Sequence, residues 1–178
     1  MMRGTARTAG LMTILLLGVQ GGASAQDVEH QGKPVEAEDH ALVLEIGAVV
    51  DWERAERAVH GGGTFALEVT PIENELELEI GIAAIRADGG VEMPIDVLFK
   101  KPWRFSPQFE FMIGAGPEIV HASGPNHATF WGVVAVLDFM FWPRKNIGWY
   151  VEPGYEITFR GDTARHGLGV SAGLLIGR

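Results

Sequence analysis

The sequence predicts an all-β protein: an antiparallel, up-and-down, eight-stranded β-barrel of membrane type. Three observations predict it. Apolar and polar residues alternate with period two in eight segments, an export signal precedes them, and tryptophans gather at the segment ends. The alternation is clearest from Glu75 to Ile85. There Leu76, Leu78, Ile80, Ile82 and Ala84 fall on one side of an extended chain, and Glu75, Glu77, Glu79, Gly81 and Ala83 on the other. A helix would spread those glutamates around its circumference, so only period two separates the two chemistries.

The totals suit one domain: 178 residues, 47% hydrophobic, with 24 Gly for a crowded strand face. With 14 Lys and Arg against 23 Asp and Glu, the chain is acidic, and duplex nucleic acid is an unsuitable partner. The absence of cysteine excludes a disulfide framework, a thiolate nucleophile and a Cys-based metal centre. At the N-terminus, Arg3 and Arg7 form a basic region, Leu11 to Val19 an apolar core, and Ala23-Ser24-Ala25 a small-x-small cleavage site before Gln26. That apolar core is too short for a transmembrane helix, which needs about 20 residues.

Gln26 to Ala41 is polar and aperiodic, and reads as a flexible lead-in. Strand one then sets Leu42, Leu44, Ile46, Ala48, Val50 and Trp52 against Glu45, Gly47 and Asp51. Glu53 to Gly63 reads as a charged connection with at most one helical turn, ending in three glycines. Strand two runs from Thr64 to Pro71, and Ile72, Glu73 and Asn74 turn it into strand three, the Glu75 to Ile85 segment. Asp88-Gly89-Gly90 is a strong turn signal. Strand four sets Val91, Met93, Ile95, Val97 and Phe99 against Glu92, Asp96 and Lys100, and Lys101 to Arg104 reads as the next turn.

Strand five carries Phe109, Phe111, Ile113 and Ala115 opposite Glu110, Gly114 and Gly116, with Glu118 to Ala128 as a loop. Strand six sets Trp131, Val133, Ala135, Leu137, Phe139 and Phe141 against Gly132, Asp138 and Met140, and Pro143 to Asn146 turns the chain. Strand seven places Trp149, Val151, Pro153, Tyr155 and Ile157 opposite Tyr150, Glu152, Gly154 and Glu156. After Arg160 to His166, strand eight alternates Leu168, Val170, Ala172, Leu174 and Ile176 with Gly167, Gly169, Ser171, Gly173 and Gly177.

Period two does not say which face is inside. A soluble periplasmic, lipocalin-like barrel would turn the apolar set, including Leu78, Phe111, Val133 and Val151, inward around an apolar ligand. Three features favour lipid outside. Trp52, Trp103, Trp131, Trp142 and Trp149 sit at strand ends or in turns, as an interfacial aromatic girdle requires. Glycine concentrates on the polar face, which suits a narrow lumen. The connections after strands two, four and six are short, and those after one, five and seven longer.

On these residues the chain resembles the small outer-membrane β-barrels of the OmpA and OmpX type over Leu42 to Arg178. Members of that group typically end in an aromatic residue, whereas this chain ends Leu174-Leu175-Ile176-Gly177-Arg178. The resemblance implies a cleaved signal peptide over 1–25, a periplasmic lead-in over 26–41 and a monomeric outer-membrane barrel over 42–178. Its role would be structural, adhesive or that of a narrow cation-favouring pore, without catalysis or cofactor.

Several groups are candidates for chemistry. The lumen would hold an acidic cluster of Glu68, Glu75, Glu77, Glu79, Glu92 and Asp96 with Lys100. Glu68 would face Glu77 or Glu79, and Lys100 would pair with Glu75 or Glu77. Such a cluster suits a cation path or an oxygen-ligated divalent ion, or else a solvated polar plug. Closure would bring Arg54, Arg57 and His60 near Arg160, Arg165 and His166, where guanidinium groups could meet lipopolysaccharide phosphates. His121 and His127 would join them at that end, although loop histidines are ordinarily only solvated and no metal is expected. His121-Ala122-Ser123 faintly resembles the His-x-Ser pair of outer-membrane lipid A deacylases, with Glu118 or Asp138 as the available acid, but neither is well placed to orient the histidine.

Overall fold

A computed structural model describes residues 41–53, 58–87, 89–124 and 127–177. The signal peptide over 1–25 and residues 26–40 of the lead-in lie outside the described residues. Eight strands follow one another: β1 (Leu42–Glu53), β2 (Ala58–Ile72), β3 (Leu76–Ala87), β4 (Gly90–Ser106), β5 (Phe109–Ala122), β6 (Ala128–Arg144), β7 (Ile147–Arg160) and β8 (Thr163–Gly177). Each pairs with the next, and β1 pairs antiparallel with β8 from Val43 opposite Gly177 to Glu53 opposite Gly167. The sheet is therefore a closed up-and-down barrel without an open edge, the condition that hydrocarbon imposes on strands.

The apolar face points outward on all eight strands. Ile80 is 58% exposed, Phe99 54% and Leu174 60%, whereas Glu45, Glu68, Lys100 and Asp138 are at most 2% exposed. An apolar band covering the whole outside is unsuited to water and matches a bilayer. The lipocalin-like alternative is thereby overturned: Leu78, Phe111, Val133 and Val151 share the outward face, and none belongs to the buried core. At about 3.3 Å per residue and a tilt near 40°, the 14 residues of β5 rise roughly 35 Å, beyond the ~25 Å apolar band such a barrel needs.

The strands are longer than the local signals indicate. Ala58 to Gly63 is strand rather than connection or helical turn, with Gly61, Gly62 and Gly63 opposite Val50, Val49 and Ala48. Lys101 to Arg104 continues β4, and the turn falls at residues 107–108. Glu118 to Ala122 continues β5, and Thr163 already begins β8. The connections at the end away from the termini are thus 54–57, 88–89, 123–127 and 161–162, so the expected contrast in loop length is much reduced.

Prolines inside strands have a common solution. Pro94, Pro117 and Pro153 each fall where one of the two flanking ladders is interrupted: Pro94 toward β3, Pro117 toward β4 and Pro153 toward β6. A residue without an N–H is tolerated where the ladder has a gap. Inward glycines answer a different need, the narrowness of the tube. A Cβ on Gly116 would stand 1.8 Å from the Val97 carbonyl oxygen, and one on Gly173 2.2 Å from that of Ile46. The polar face is rich in glycine because neighbouring backbones crowd it.

Candidate functional site: a charged lumen

At mid-height the lumen is organised around Lys100 of β4. Its Nζ lies 2.8 Å from Asp138 Oδ2 of β6, 2.8 Å from Glu152 Oε2 of β7 and 3.6 Å from Glu68 Oε2 of β2, and it also contacts Glu79 Oε2 of β3. Ser171 Oγ of β8 donates to the other Glu152 oxygen at 3.4 Å. Glu45 of β1 completes the ring: carboxylate oxygens of Glu45, Glu68, Glu79 and Asp138 lie within 4.8 Å of one another. Five strands send an acid to one ammonium. So dense a cluster of like charge in a dry interior requires the buried cation at its centre.

The expected partner of Lys100 was on its own ladder, and the backbone register does set it opposite Glu77. The side chain instead crosses the lumen. Glu68 stands opposite Glu79, as one of its two expected positions. Glu75 is not a lumen residue: Asn74 adopts a φ of 59°, Glu75 N donates to Ile72 O at 3.0 Å, and the turn delivers the Glu75 side chain to the exposed Lys101, 2.7 Å away. Glu77, Glu92 and Asp96 face inward. Glu118 also points into the lumen, a member that the loop reading over Glu118 to Ala128 concealed. Continued alternation through Ile119, which pairs with Trp131, was the signal that could have found it.

Toward the end carrying Leu42 and Gly177, the interior holds an apolar cluster of Val43, Met112, Met140, Trp142, Tyr150 and Leu175. Arg104 Nε donates to Glu110 Oε1 at 3.1 Å beside it. Trp142 is 7% exposed and faces inward, so it does not share the outer surface with Trp52, Trp103, Trp131 and Trp149. Those four stand outward, Trp52 and Trp131 near the loop end and Trp103 and Trp149 near the terminal end. Trp149 stacks on Phe141 at 4.0 Å and Trp131 on Phe159 at 4.4 Å between ring centroids.

Toward the loop end the lumen widens into a cavity of about 100 Å³ lined by Asp51, Asp96, Glu118, Glu152 and Glu156 among small and apolar residues. A smaller space of about 40 Å³ shares Asp51 and Glu156 with it and reaches His60, Arg165 and His166 at the mouth. Arg165 Nη1 is 3.1 Å from Glu53 Oε1, and the Arg160 guanidinium lies over the Phe130 ring at 5.3 Å. Arg54 and Arg57 lie outside the described residues.

The histidines do not converge on one point. His60 Nδ1 meets the Arg86 carbonyl at 3.2 Å, His166 Nδ1 the Tyr155 hydroxyl at 2.7 Å, and His121 packs edge-on to His127 at 4.9 Å. Among the described residues, the group of three or more His, Asp or Glu with closely placed ligating atoms is the carboxylate set around Lys100. Ser123 Oγ donates to Val91 O at 2.9 Å and accepts from Val91 N at 3.1 Å, while His121 Nδ1 contacts Thr129 Oγ1 at 3.0 Å. That hydroxyl is tied to backbone, and Glu118 faces the opposite side of β5 from His121.

No protein-family model matches the chain, and no curated protein matches it. Solved structures do. Neisserial surface protein A is 11% identical with a TM-score of 0.62, over 78% of this chain and 97% of that one. The N-terminal β-barrel domain of Pseudomonas aeruginosa OprF is 11% identical with a TM-score of 0.52, over 75% and 97%. The outer membrane protein OprG from Pseudomonas aeruginosa is 9% identical with a TM-score of 0.54, over 76% and 94%. With eight strands closed in sequence order and the apolar face outward, the chain has the fold of the small outer-membrane β-barrels.

Proposed function

We propose that this chain is an integral outer-membrane protein, monomeric and non-catalytic, whose barrel favours cations in its interior and is closed at rest. The observation that carries the reading is the sorting of chemistry by face: an outward surface that is apolar on every strand, and an inward one with acids on seven strands and Lys100 at the centre. The terminal end would face the periplasm, since the lead-in follows the export signal. Connections of two to five residues outside β1, β3, β5 and β7 offer little surface for adhesion. The apolar cluster around Met112 and Met140 argues against an open channel, so a structural role or a gated narrow pore fits better.

The test is fractionation, followed by electrophoresis of the membrane fraction with and without boiling. Recovery in the outer membrane with a heat-dependent shift in migration is expected, and planar bilayers should record little current from the folded barrel. Recovery in the soluble periplasm would overturn the reading.

A further inference from the structure

Charge is matched in the middle of the lumen and unmatched above it. Around Lys100, the acids converge on an ammonium. In the loop-end cavity, Asp51, Asp96, Glu118, Glu152 and Glu156 share about 100 Å³ with no Lys, Arg or His among the lining residues. Glu152 is bound by Lys100, and Asp96, whose Oδ1 is also buried without a hydrogen-bond partner, packs against Gly81. Asp51, Glu118 and Glu156 remain, from β1, β5 and β7, on different sides of the space.

Glu118 is the telling member. It is 4% exposed, and its Oε1 is buried without a hydrogen-bond partner. A carboxylate in the wall of a cavity with a buried oxygen left unsatisfied is costly unless its charge is compensated from the space it lines. Glycines of β8 make room beside it: a Cβ on Gly167 would stand 2.5 Å from Glu156 Oε1, and one on Gly169 2.6 Å from Asp51 Oδ1. The inner face of β8 is stripped of side chains where these two acids dock.

Resting on the membrane-barrel reading, we infer that the loop-end cavity binds one divalent cation that keeps part of its water shell, held by Asp51, Glu118 and Glu156. The three carboxylates are not gathered as closely as the set around Lys100, so a direct three-carboxylate cage is not formed. About 100 Å³ corresponds to roughly three waters at ~30 Å³ each, room for an ion with a partial shell. Magnesium suits this arrangement, because it retains several waters and needs only one or two carboxylates, and calcium is the larger competitor. The ion would enter through the mouth beside His60 and stop above Lys100, whose ammonium repels it.

The test uses the full barrel folded in neutral detergent, with the heat-dependent shift confirming closure of each variant. Failure to close would count against the membrane reading and leaves the ion question to the proteins that do close. Calorimetric titration with magnesium chloride, then calcium chloride, at physiological ionic strength should show one saturable site per wild-type barrel. Glu118→Gln and, separately, Glu156→Gln should each weaken it by about 10- to 100-fold, the loss usual when a group holding an ion through its water is removed. Two variants are used so that misfolding of one leaves the other to decide. Glu75→Gln, on the exposed turn, should leave binding unchanged. No saturable site in the folded wild type, or affinity unchanged from the wild type in both luminal variants, would overturn the proposal. Either result would mean that the acids are neutralised by protons or by diffuse monovalent ions.

Discussion

Lys100 Nζ and Asp138 Oδ2 lie 2.8 Å apart on strands two places removed around the barrel, and both side chains are wholly buried. The pair is the centre of a cross-lumen brace that ties β4 to β2, β3, β6 and β7. Removing one partner of such a pair leaves an uncompensated buried charge, which costs about 3–5 kcal/mol. Lys100→Met should therefore lower the unfolding free energy obtained by urea titration of the folded barrel by that amount, or prevent closure. Adding Asp138→Asn to the Met variant should recover part of the loss, because the two substitutions act on one network. Equal stability of Lys100→Met and the wild type, by heat-shift gel and urea titration, would show the brace to be idle.

The two ends of β6 carry tryptophans with opposite tasks. Trp142 is buried in the terminal-end cluster and Trp131 is 59% exposed on the outside. Trp142→Ala should cost about 3–5 kcal/mol, as for a large core side chain. Trp131→Ala should change stability little in detergent, where no bilayer interface is offered. Brominated lipids supply an independent check: restricting fluorescence to one tryptophan at a time, quenching should be strong for Trp131 and Trp149 and weak for Trp142. Quenching of Trp142 equal to that of Trp131 would contradict its inward placement.

Inward glycines predict a steric limit. Gly173 faces the Ile46 carbonyl oxygen and the Gly47 backbone so closely that no Cβ fits without moving a strand. Gly173→Ala should destabilise the barrel by about 1–3 kcal/mol, the usual range for forcing atoms into a packed interior. Gly63 faces outward, where an added Cβ would have only the Gly47 carbonyl oxygen nearby at 3.8 Å. Gly63→Ala should be nearly neutral by the same urea titration, and equal losses at the two positions would remove crowding as the reason for glycine on this face.

Which residues share a face was legible because parity holds within a strand wherever its ends fall: the apolar sets from Leu42 to Trp52 and from Leu168 to Ile176 face outward, and the acids of β1, β3 and β7 face inward. Glu75, which falls just outside β3, does not follow that parity. Boundaries were less legible, for local reasons that closure overrides. Gly61 to Gly63 and Pro102 carry turn chemistry, yet pairing with β1 and β5 holds both in strands. Trp142 was misplaced because a strand-end position does not reveal parity, although it continues the inward series of Asp138 and Met140. The partners of Lys100 were out of reach for another reason. Nearest-neighbour register supplies only Glu77, whereas a long side chain in a narrow tube meets acids from strands far away in sequence, such as Asp138 and Glu152.

The closed state itself can be tested by opening it. Met112 and Met140 are fully buried in the terminal-end cluster, at 0% and 1% exposure, and lie beside the acids that ring Lys100. Thioether side chains fill irregular space, so truncating both to Ala leaves a void that water can enter once it joins the polar groups alongside. Glu110, Glu77 and Asp138 would then line the path, and their negative field should admit cations and repel anions. The Met112→Ala, Met140→Ala double variant should therefore conduct in planar bilayers where the wild type passes little current. Its reversal potential in a salt gradient should show cation preference. Unchanged current in a variant that still folds would place the block elsewhere in the lumen, and anion preference would mean that ions do not meet these acids.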